Sequence, residues 1–386
     1  MSISGVIAPD VPESDAPLSV DAEEKISVAT QWQLMWWRFR KHKLALVSAV
    51  VVIVFYLVAA TAEFLAYSDP LASDAQRSLI APQPLYLFDS NGGFGPYVSG
   101  LVGQRDPQTF KRVYVPDPSV KVPITLFAQG FPYKLFGLIP TDRHLIGVSG
   151  DRTPETSLFL LGTDSQGRDQ WSRLVFATRV SLLIGLASVV ISLVLGVLLG
   201  GLSGYLGGLA DTIIQRVIEI MRSIPTIPLW MGLAASVPKE WDVTQIFFTM
   251  TLIFSLFSWT ELARVVRGRF LSLRDEDFVT AAELVGCSRL RIIFRHLVPS
   301  FLSHIIAATT LALPAIIIFE TSLSYLGFGM RPPAISWGVM LEEASNVQTA
   351  AISPWLLWPA APVIVAILAF NFLGDGLRDA ADPYGV

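Results

Sequence analysis

The sequence contains very little cysteine or histidine, which narrows the chemistry open to it. Cys287 is the one cysteine in 386 residues, so neither an internal disulfide nor a cysteine-based metal site can form. The four histidines are scattered and form no HExxH pair. The dipeptide Gly-Lys never occurs, which excludes the GxxxxGKS/T loop that binds ATP. We therefore predict no catalytic residue, no metal site and no cofactor in this chain.

Charged residues are also scarce, at 16% of the chain, compared with about 25% in ordinary soluble domains. The net charge of −4 gives no support for nucleic-acid binding. Hydrophobic residues make up 52% of the chain and cluster into stretches of about 20, the length that a helix needs to cross a bilayer. This pattern predicts an all-α membrane protein with about six transmembrane helices. The predicted spans are residues 44–66, 180–202, 210–236, 244–265, 303–327 and 354–374.

The composition changes along the chain and predicts four regions. The first is a polar, acidic tail that we expect to be disordered in the cytoplasm. Tryptophans and cations before the first span suit the headgroup layer, and the cations place that flank in the cytoplasm. A signal peptide ending near Ala60 is the competing interpretation, but the stretch is too long and too deep in the chain. The regions are the tail 1–30, the interfacial segment and first helix 31–66, an extracytoplasmic insert 67–176, and a five-helix core 177–386 with a cytoplasmic loop 266–301.

Six spans place both termini in the cytoplasm, and the arginine-rich loop 266–301 then lies there too, as the positive-inside rule requires. The second span carries glycine at every fourth position: Gly196, Gly200, Gly204 and Gly208. Such a ladder allows two helices to approach closely. The neighbouring helix could belong to this chain or to a second subunit, and the motif alone does not distinguish them.

The loop 266–301 predicts a helix–turn–helix. Acidic residues open the first helix, Gly286 suits its end, Ser288 can cap the second helix and Pro299 ends it. Each helix has an apolar stripe at helical spacing. Such stripes could dock into a groove of a partner or pack on the membrane helices of this chain. The stripes are Phe278, Ala281, Ala282 and Val285 in the first helix, and Leu290, Ile293, Phe294 and Leu297 in the second.

This loop, with DFVTAAELVG at 277–286 and RHLVP at 295–299, resembles the EAA loop of ABC importer permeases. In that family the loop is the coupling helix that seats in the ATP-binding subunit. Thr280 stands where the family has its leading glutamate, and Val298 stands where it usually has leucine. The resemblance implies that the ATPase-coupling residues are Thr280, Ala281, Ala282, Gly286, Arg289, Arg295 and Pro299.

Five further blocks resemble the dipeptide/oligopeptide/nickel group of these permeases. They are LGTDSQGRD at 161–169, GYLGG at 204–208, ETSLSYLGFG at 320–329, SWG at 336–338 and GDGLRD at 374–379. Their order resembles that of the C-type subunit, over about 38–66 and 160–383. The resemblance implies a type I ABC importer permease fold with a long extracytoplasmic insert between helices 1 and 2.

The resemblance also implies the assembly. Such importers join two permeases, usually non-identical here, to two ATP-binding subunits and an extracytoplasmic substrate-binding protein in the bacterial inner membrane. ATP and Mg would be bound by the partner ATPase, and membrane lipid would surround the permeases. Peptides are the first expectation for the substrate; oligosaccharides and nickel complexes are the alternatives.

Four ionisable residues fall within the predicted spans: Glu219, Arg222, Glu261 and Glu320. Intramembrane charges usually pair with one another or serve the transport pathway. Glu219 and Arg222 stand three apart on one helix face, which favours an ion pair between them. Three other interpretations compete with the importer: an ATP-independent secondary transporter, a membrane-embedded enzyme, and a receptor or scaffold that acts through the insert. The enzyme lacks a recognisable nucleophile–base pair or metal ligands in the sequence.

Overall fold

The structure is a computed structural model and describes residues 31–88, 94–105, 107, 112–148, 153, 155–238 and 240–381. The predicted tail, residues 1–30, lies outside the described residues. The helices are α1 (Gln31–Lys41), α2 (Lys43–Ala60), α3 (Ala62–Leu65), α4 (Gln170–Leu206), α5 (Gly208–Ser223), α6 (Thr226–Ala235), α7 (Val243–Leu273), α8 (Asp277–Leu284), α9 (Arg289–Ile292), α10 (Val298–Ser300), α11 (Leu302–Tyr325), α12 (Trp337–Glu343), α13 (Val347–Ile352) and α14 (Ala360–Ala381). The strands are β1 (Leu85–Phe88), β2 (Phe94–Arg105), β3 (Arg112–Leu135) and β4 (Ile139–Val148).

Within the part of the chain that the structure describes, five helical segments are long and apolar enough to cross a membrane. They are α2, α4, α7, α11 and the segment Pro354–Ala381, which contains α14. The third predicted span, residues 210–236, is wrong as a single helix, because α5 ends at Ser223 and α6 begins at Thr226. Pro225 has no backbone N–H to donate, and Ile224 before it is extended, with φ −87° and ψ 129°. A proline thus divides this span into two shorter helices.

The glycine ladder packs within the chain. A Cβ added to Gly200 would lie 2.4 Å from the carbonyl oxygen of Ala263 on α7, and one on Gly204 would lie 2.6 Å from the Phe270 Cβ. Helices α4 and α7 therefore approach so closely that these positions have no room for a side chain. Gly208 has open space around it at the start of α5. The structure favours the intramolecular alternative for the ladder.

The segment between the first two spans contains a four-stranded antiparallel sheet in the order β1–β2–β3–β4. Its core is formed by Val98, Val122 and Val148 from successive strands, with Tyr67 and Leu158 from the flanking segments. The sheet lies at one end of the helical bundle, which we call the sheet end; the loop between α7 and α11 lies at the other, the loop end.

Helix α4 begins at Gln170, ten residues before the predicted start of the second span. The Asp169 side chain caps it by accepting a hydrogen bond from the backbone N–H of Ser172 at 2.7 Å. The helix therefore extends beyond the apolar stretch at the sheet end, and its first turns fall within residues 67–176, the predicted insert.

Candidate functional site

The candidate site at the loop end is a helix–turn–helix. Helix α8 ends in a left-handed turn at Gly286, which has φ +79°. The Cys287 N–H donates to the Ala282 carbonyl at 3.1 Å, and the Gly286 N–H donates to the Glu283 carbonyl at 2.9 Å. The first of these bonds spans five residues, as in a Schellman motif. Gly286 thus stands where a residue with a Cβ would be strained.

The second helix begins at Ser288, whose Oγ accepts from the Arg291 N–H at 3.4 Å. Helix α9 passes into one π-helical turn, Ile293–Leu297, and then into α10, which contains Pro299. Pro299 has no backbone N–H to donate to the helical hydrogen bonds. The helix ends after Ser300, and Phe301 is the residue before α11. Two short helices are therefore held in fixed register with the membrane helices on either side.

One face of this unit is buried against the bundle. Val279, Ala282, Ile292, Ile293 and Leu297 are buried in one cluster. The other buried residues of that cluster come from the membrane helices and from the start of α11: Val197 of α4, Leu262, Val266 and Phe270 of α7, Phe301 just before α11, and Ile305 of α11. Part of each predicted stripe thus packs on the chain's own helices. Val279 and Ile292 are buried in the same cluster, although neither belongs to a predicted stripe.

The opposite face is apolar and exposed. Leu284 and Val285 are each 84% exposed, and the exposed Phe278 on the same helix adds to an apolar surface of the kind that marks an interaction site. We define the docking face as the exposed residues Phe278, Ala281, Leu284, Val285, Leu290 and Phe294. Of the seven predicted coupling residues, Ala282 is buried and the other six are exposed, with Ala281 on the docking face itself. The exposed six are Thr280, Ala281, Gly286, Arg289, Arg295 and Pro299.

Two polar contacts fix the loop end to the bundle. The Tyr205 hydroxyl donates to Glu283 Oε1 at 2.6 Å, which ties α8 to the end of α4. Arg267 donates from Nε and Nη2 to the two carboxylate oxygens of Asp211, at 2.5 and 2.6 Å. This bidentate pair joins α5 to α7. Displacement of α8 would therefore be transmitted to α4 directly.

The predicted ion pair between Glu219 and Arg222 is wrong. Glu219 accepts from Arg216 Nη1 at 2.8 Å, one turn earlier on the same helix. Arg222 instead binds Glu261 on α7. Glu219 had two arginines three residues away, and the sequence could not show that α7 supplies a carboxylate for the second.

These charges border an open polar cleft of about 350 Å³. Glu219 and Arg222 line this cleft, and Glu261 is the partner of Arg222. All three side chains are exposed. Charged groups at the depth of a membrane helix require water or partners, and here each carboxylate has an arginine partner. The lining residues are Gln215, Ile218, Glu219, Arg222, Ser223 and Arg264.

Glu320 lies elsewhere and is 2% exposed. Its carboxylate accepts from Ser181 Oγ at 3.2 Å and from Ser324 Oγ at 3.0 Å. Ser181 Oγ also accepts from the Trp337 N–H at 3.2 Å. Glu320 therefore joins α4, α11 and the start of α12 through serine hydroxyl groups. It does not line the cleft, and its contacts hold helices together.

A second buried polar cluster lies at the sheet end and accounts for the block at 161–169. Asp164 is fully buried and its Oδ2 accepts from Arg168 Nε at 2.6 Å, with Arg173 Nε 3.4 Å from the same oxygen. Glu343 of α12 accepts from the Ser165 N–H at 2.6 Å. The cluster therefore joins the segment before α4 to α12.

Asp169 adjoins this cluster and should give the protein a pH-dependent stability. Burial raises the pKa of Asp169 to about 6, although Ser172 and the Tyr67 hydroxyl, 2.8 Å from Oδ1, donate to it. In the unfolded chain this carboxyl ionises near its ordinary pKa of 3.8. The folded state therefore holds the extra proton between these values, and stability falls by about 1.4 kcal/mol per pH unit as the pH rises through that window.

The melting temperature should thus decrease from pH 4 to pH 6 and change little above pH 6.5. The variant Asp169→Asn retains a capping oxygen and should lose this part of the pH dependence. Scans of purified protein between pH 4 and 8 measure it, and equal slopes for the two proteins would contradict the assignment.

Among the described residues, no group of three or more His, Cys, Asp and Glu side chains could hold a metal ion.

The family described as binding-protein-dependent transport system inner membrane component matches residues 192–384. The N-terminal transmembrane domain of oligopeptide transport permease C matches residues 30–82. The oligopeptide transport system permease protein OppC of Escherichia coli K12 is 42% identical over 223 residues, 58% of this chain and 71% of that protein. The chain belongs to this permease family.

The Bacillus subtilis OppC is 35% identical to this permease over 237 residues, 61% of the chain and 75% of the relative. The inward-facing MetNI methionine ABC transporter has a TM-score of 0.42 and 20% identity, over 54% of this chain and 95% of its own. The family matches confirm the predicted resemblance and a helical, membrane-embedded permease. Strands β1–β4 fall between the two matched ranges.

Proposed function

We propose that this permease forms half of the pathway of an importer for peptides, and that a separate ATPase drives it. The main support for the proposal is that the docking face is exposed while the opposite face of the same helix–turn–helix is buried against the bundle. ATP can shift a permease between states only through contacts that differ between those states. A rigid apolar knob whose inner face is packed against α7 and α11 would pass the movement of an ATPase to the spans.

The proposed assembly contains a second, non-identical permease, two ATPases that bind ATP and Mg, and a substrate-binding protein. This chain itself would carry no catalytic residue. The loop end, with Arg289, Arg291 and Arg295, would lie in the cytoplasm together with both termini. The sheet end would then be extracytoplasmic. The names of the curated relatives support peptides rather than oligosaccharides or nickel complexes as the substrate.

The assembly should depend on the docking face. We expect the tagged chain, purified gently from membranes, to bring with it an ATPase and a second permease. The double variant L284D/V285D should lose the ATPase and keep the second permease, because charge opposes burial in an apolar groove. Val347→Asp is the matched control, since Val347 is 81% exposed at the sheet end. Mass spectrometry of the recovered proteins measures both outcomes.

Uptake by the reconstituted complex tests the substrate. A labelled oligopeptide should enter proteoliposomes only with internal ATP and the binding protein, and unlabelled oligosaccharide should not compete. A chain that purifies alone and moves solute without ATP would instead be a secondary transporter. If L284D/V285D recovers as much ATPase as the unaltered chain, the docking face is not where the ATPase binds.

A further inference from the structure

The β3–β4 hairpin ends in an apolar tip, which we define as Phe136, Leu138 and Ile139. All three side chains are exposed, and Leu138 is 81% exposed. Phe136 and Gly137 occupy the two central turn positions with φ +52° and +72°, and the Leu138 N–H donates to the Leu135 carbonyl at 3.1 Å. Such turns usually carry Asn-Gly or Asp-Gly, which are polar and tolerate left-handed backbone. A phenylalanine there is strained and would be poorly placed in water.

The hairpin runs along the first span toward the membrane. Higher on the hairpin, His144 Nδ1 lies 2.9 Å from the Glu63 carbonyl oxygen, and the Phe127 ring lies 6.1 Å from that of Phe64. At the tip, Phe136 borders an open cleft of about 340 Å³ together with Tyr56, Ala59, Ala60, Glu63, Gly137, Arg179 and Leu183. Tyr56 lies one turn inside the end of α2 at Ala60. The tip therefore reaches the depth of the apolar span itself.

The cleft is continuous with the exposed apolar surface of two spans. Ile53 and Leu57 are exposed on α2. On α4 an exposed stripe at helical spacing begins in the cleft and runs away from the sheet: Leu183, Leu186, Val190 and Val194. These stripes are aliphatic and belong to helices long and apolar enough to cross a membrane. The tip thus lies at the outer end of a surface that requires an apolar solvent.

The charges near the tip suit that position. Arg179 and Glu63 form an ion pair in the cleft, and Arg179 Nε also donates to the Ala59 carbonyl at 2.6 Å. A neutralised, hydrogen-bonded pair is what membrane depth allows. Lys134, next to the turn, is exposed and can extend its ammonium toward headgroup phosphates.

We propose that the hairpin tip inserts into the lipid leaflet at the sheet end, beside α2 and α4, and anchors the sheet to the membrane surface. Lipid fits better than a protein partner because the tip side chains are wholly apolar and continue the exposed stripes of two spans. Insertion of the tip would require neither the substrate nor the ATPase.

Nitroxide labels on the reconstituted transporter test it, in a Cys287→Ser background. The label replaces Leu138, with Val54 on the exposed face of α2 as lipid reference and Val115 on the far part of β3 as water reference. Collisions with oxygen, which concentrates in lipid, are compared with collisions with a water-soluble nickel chelate. The Leu138 label should match Val54 and differ from Val115 by several-fold in the oxygen-to-nickel ratio.

A second pair of variants separates lipid insertion from simple burial. With the label at Ile139, Leu138→Asp should raise nickel access, because a carboxylate is costly among acyl chains, whereas Leu138→Phe should not. Nickel access at Leu138 equal to that at Val115 would overturn the proposal. Shielding from both reagents, with photo-crosslinking from Leu138 to a protein subunit, would also overturn it and assign the tip to that subunit.

Discussion

Replacing Ala281 with tryptophan should strongly reduce ATP-driven transport while the permease remains folded and assembled with its second permease. Ala281 is exposed on the docking face, so the large ring can extend into solvent and need not enter the packed core of this chain. It would instead hold the ATPase groove away from α8, and we expect transport to fall at least about tenfold, which corresponds to roughly 1.4 kcal/mol of coupling. Transport and permease-stimulated ATP hydrolysis in proteoliposomes measure the effect.

The neighbouring substitution Ala282→Trp should fail for a different reason. Ala282 is buried against the cluster that contains Phe270 and Ile305, and overpacking there costs about 1–3 kcal/mol. We expect a lower melting temperature for Ala282→Trp and an unchanged one for Ala281→Trp. Ala281→Ser is the small-residue control and should transport normally. Equal melting temperatures, or normal transport by Ala281→Trp, would contradict the assignment of the two faces.

This contrast shows how far the sequence could predict the candidate site. Caps, glycine and apolar periodicity predicted two helices in the loop, because these are local signals carried by Gly286, Ser288 and Pro299. Which apolar side chains face the bundle was not predictable, since Val279 and Ile292 are decided by the position of α7. The Tyr205–Glu283 contact joins residues far apart in the chain and has no local signal.

The spans show the same division. Five of the six predicted spans correspond to helical segments long and apolar enough to cross a membrane, and these followed from hydrophobic length, which does not depend on tertiary contacts. The third span differs because Pro225 interrupts an otherwise continuous apolar pattern, and propensity does not tell whether proline bends or divides a helix. The partners of Arg222 and Glu219 depend on how α5 lies on α7.

The sheet was visible in the sequence only as short β-like runs. Strand β3 contains four prolines, at Pro116, Pro118, Pro123 and Pro132, and proline argues against an internal strand. The register shifts opposite residues 117–121 and between Gln129 and Tyr133 accommodate two of them, Pro118 and Pro132. Irregular pairing of this kind removes the alternation from which strands are predicted.

The substitution Asp164→Ala should be the most damaging change at the sheet end, because it removes a fully buried carboxylate and leaves Arg168 and Arg173 buried beside each other. Breaking a buried ion pair from one side costs about 3–5 kcal/mol. We expect a sharp loss of folded protein in membranes and a large decrease in melting temperature. Asp142→Ala is the matched control: its pair with Arg143 is 3.9 Å apart and exposed, and such pairs contribute about 0–1 kcal/mol.

The variant Asp164→Asn separates charge from shape. It can retain the hydrogen bonds that Oδ1 accepts from the Gln166 and Arg168 N–H groups, both at 2.9 Å, but it cannot neutralise the guanidinium groups. We therefore expect its melting temperature to lie between those of Asp164→Ala and the unaltered protein. If Asp164→Asn instead melts like the unaltered protein while Asp164→Ala does not, the turn and not the charge would account for the LGTDSQGRD block. The Ser165 contact with Glu343 would then be what joins this segment to α12.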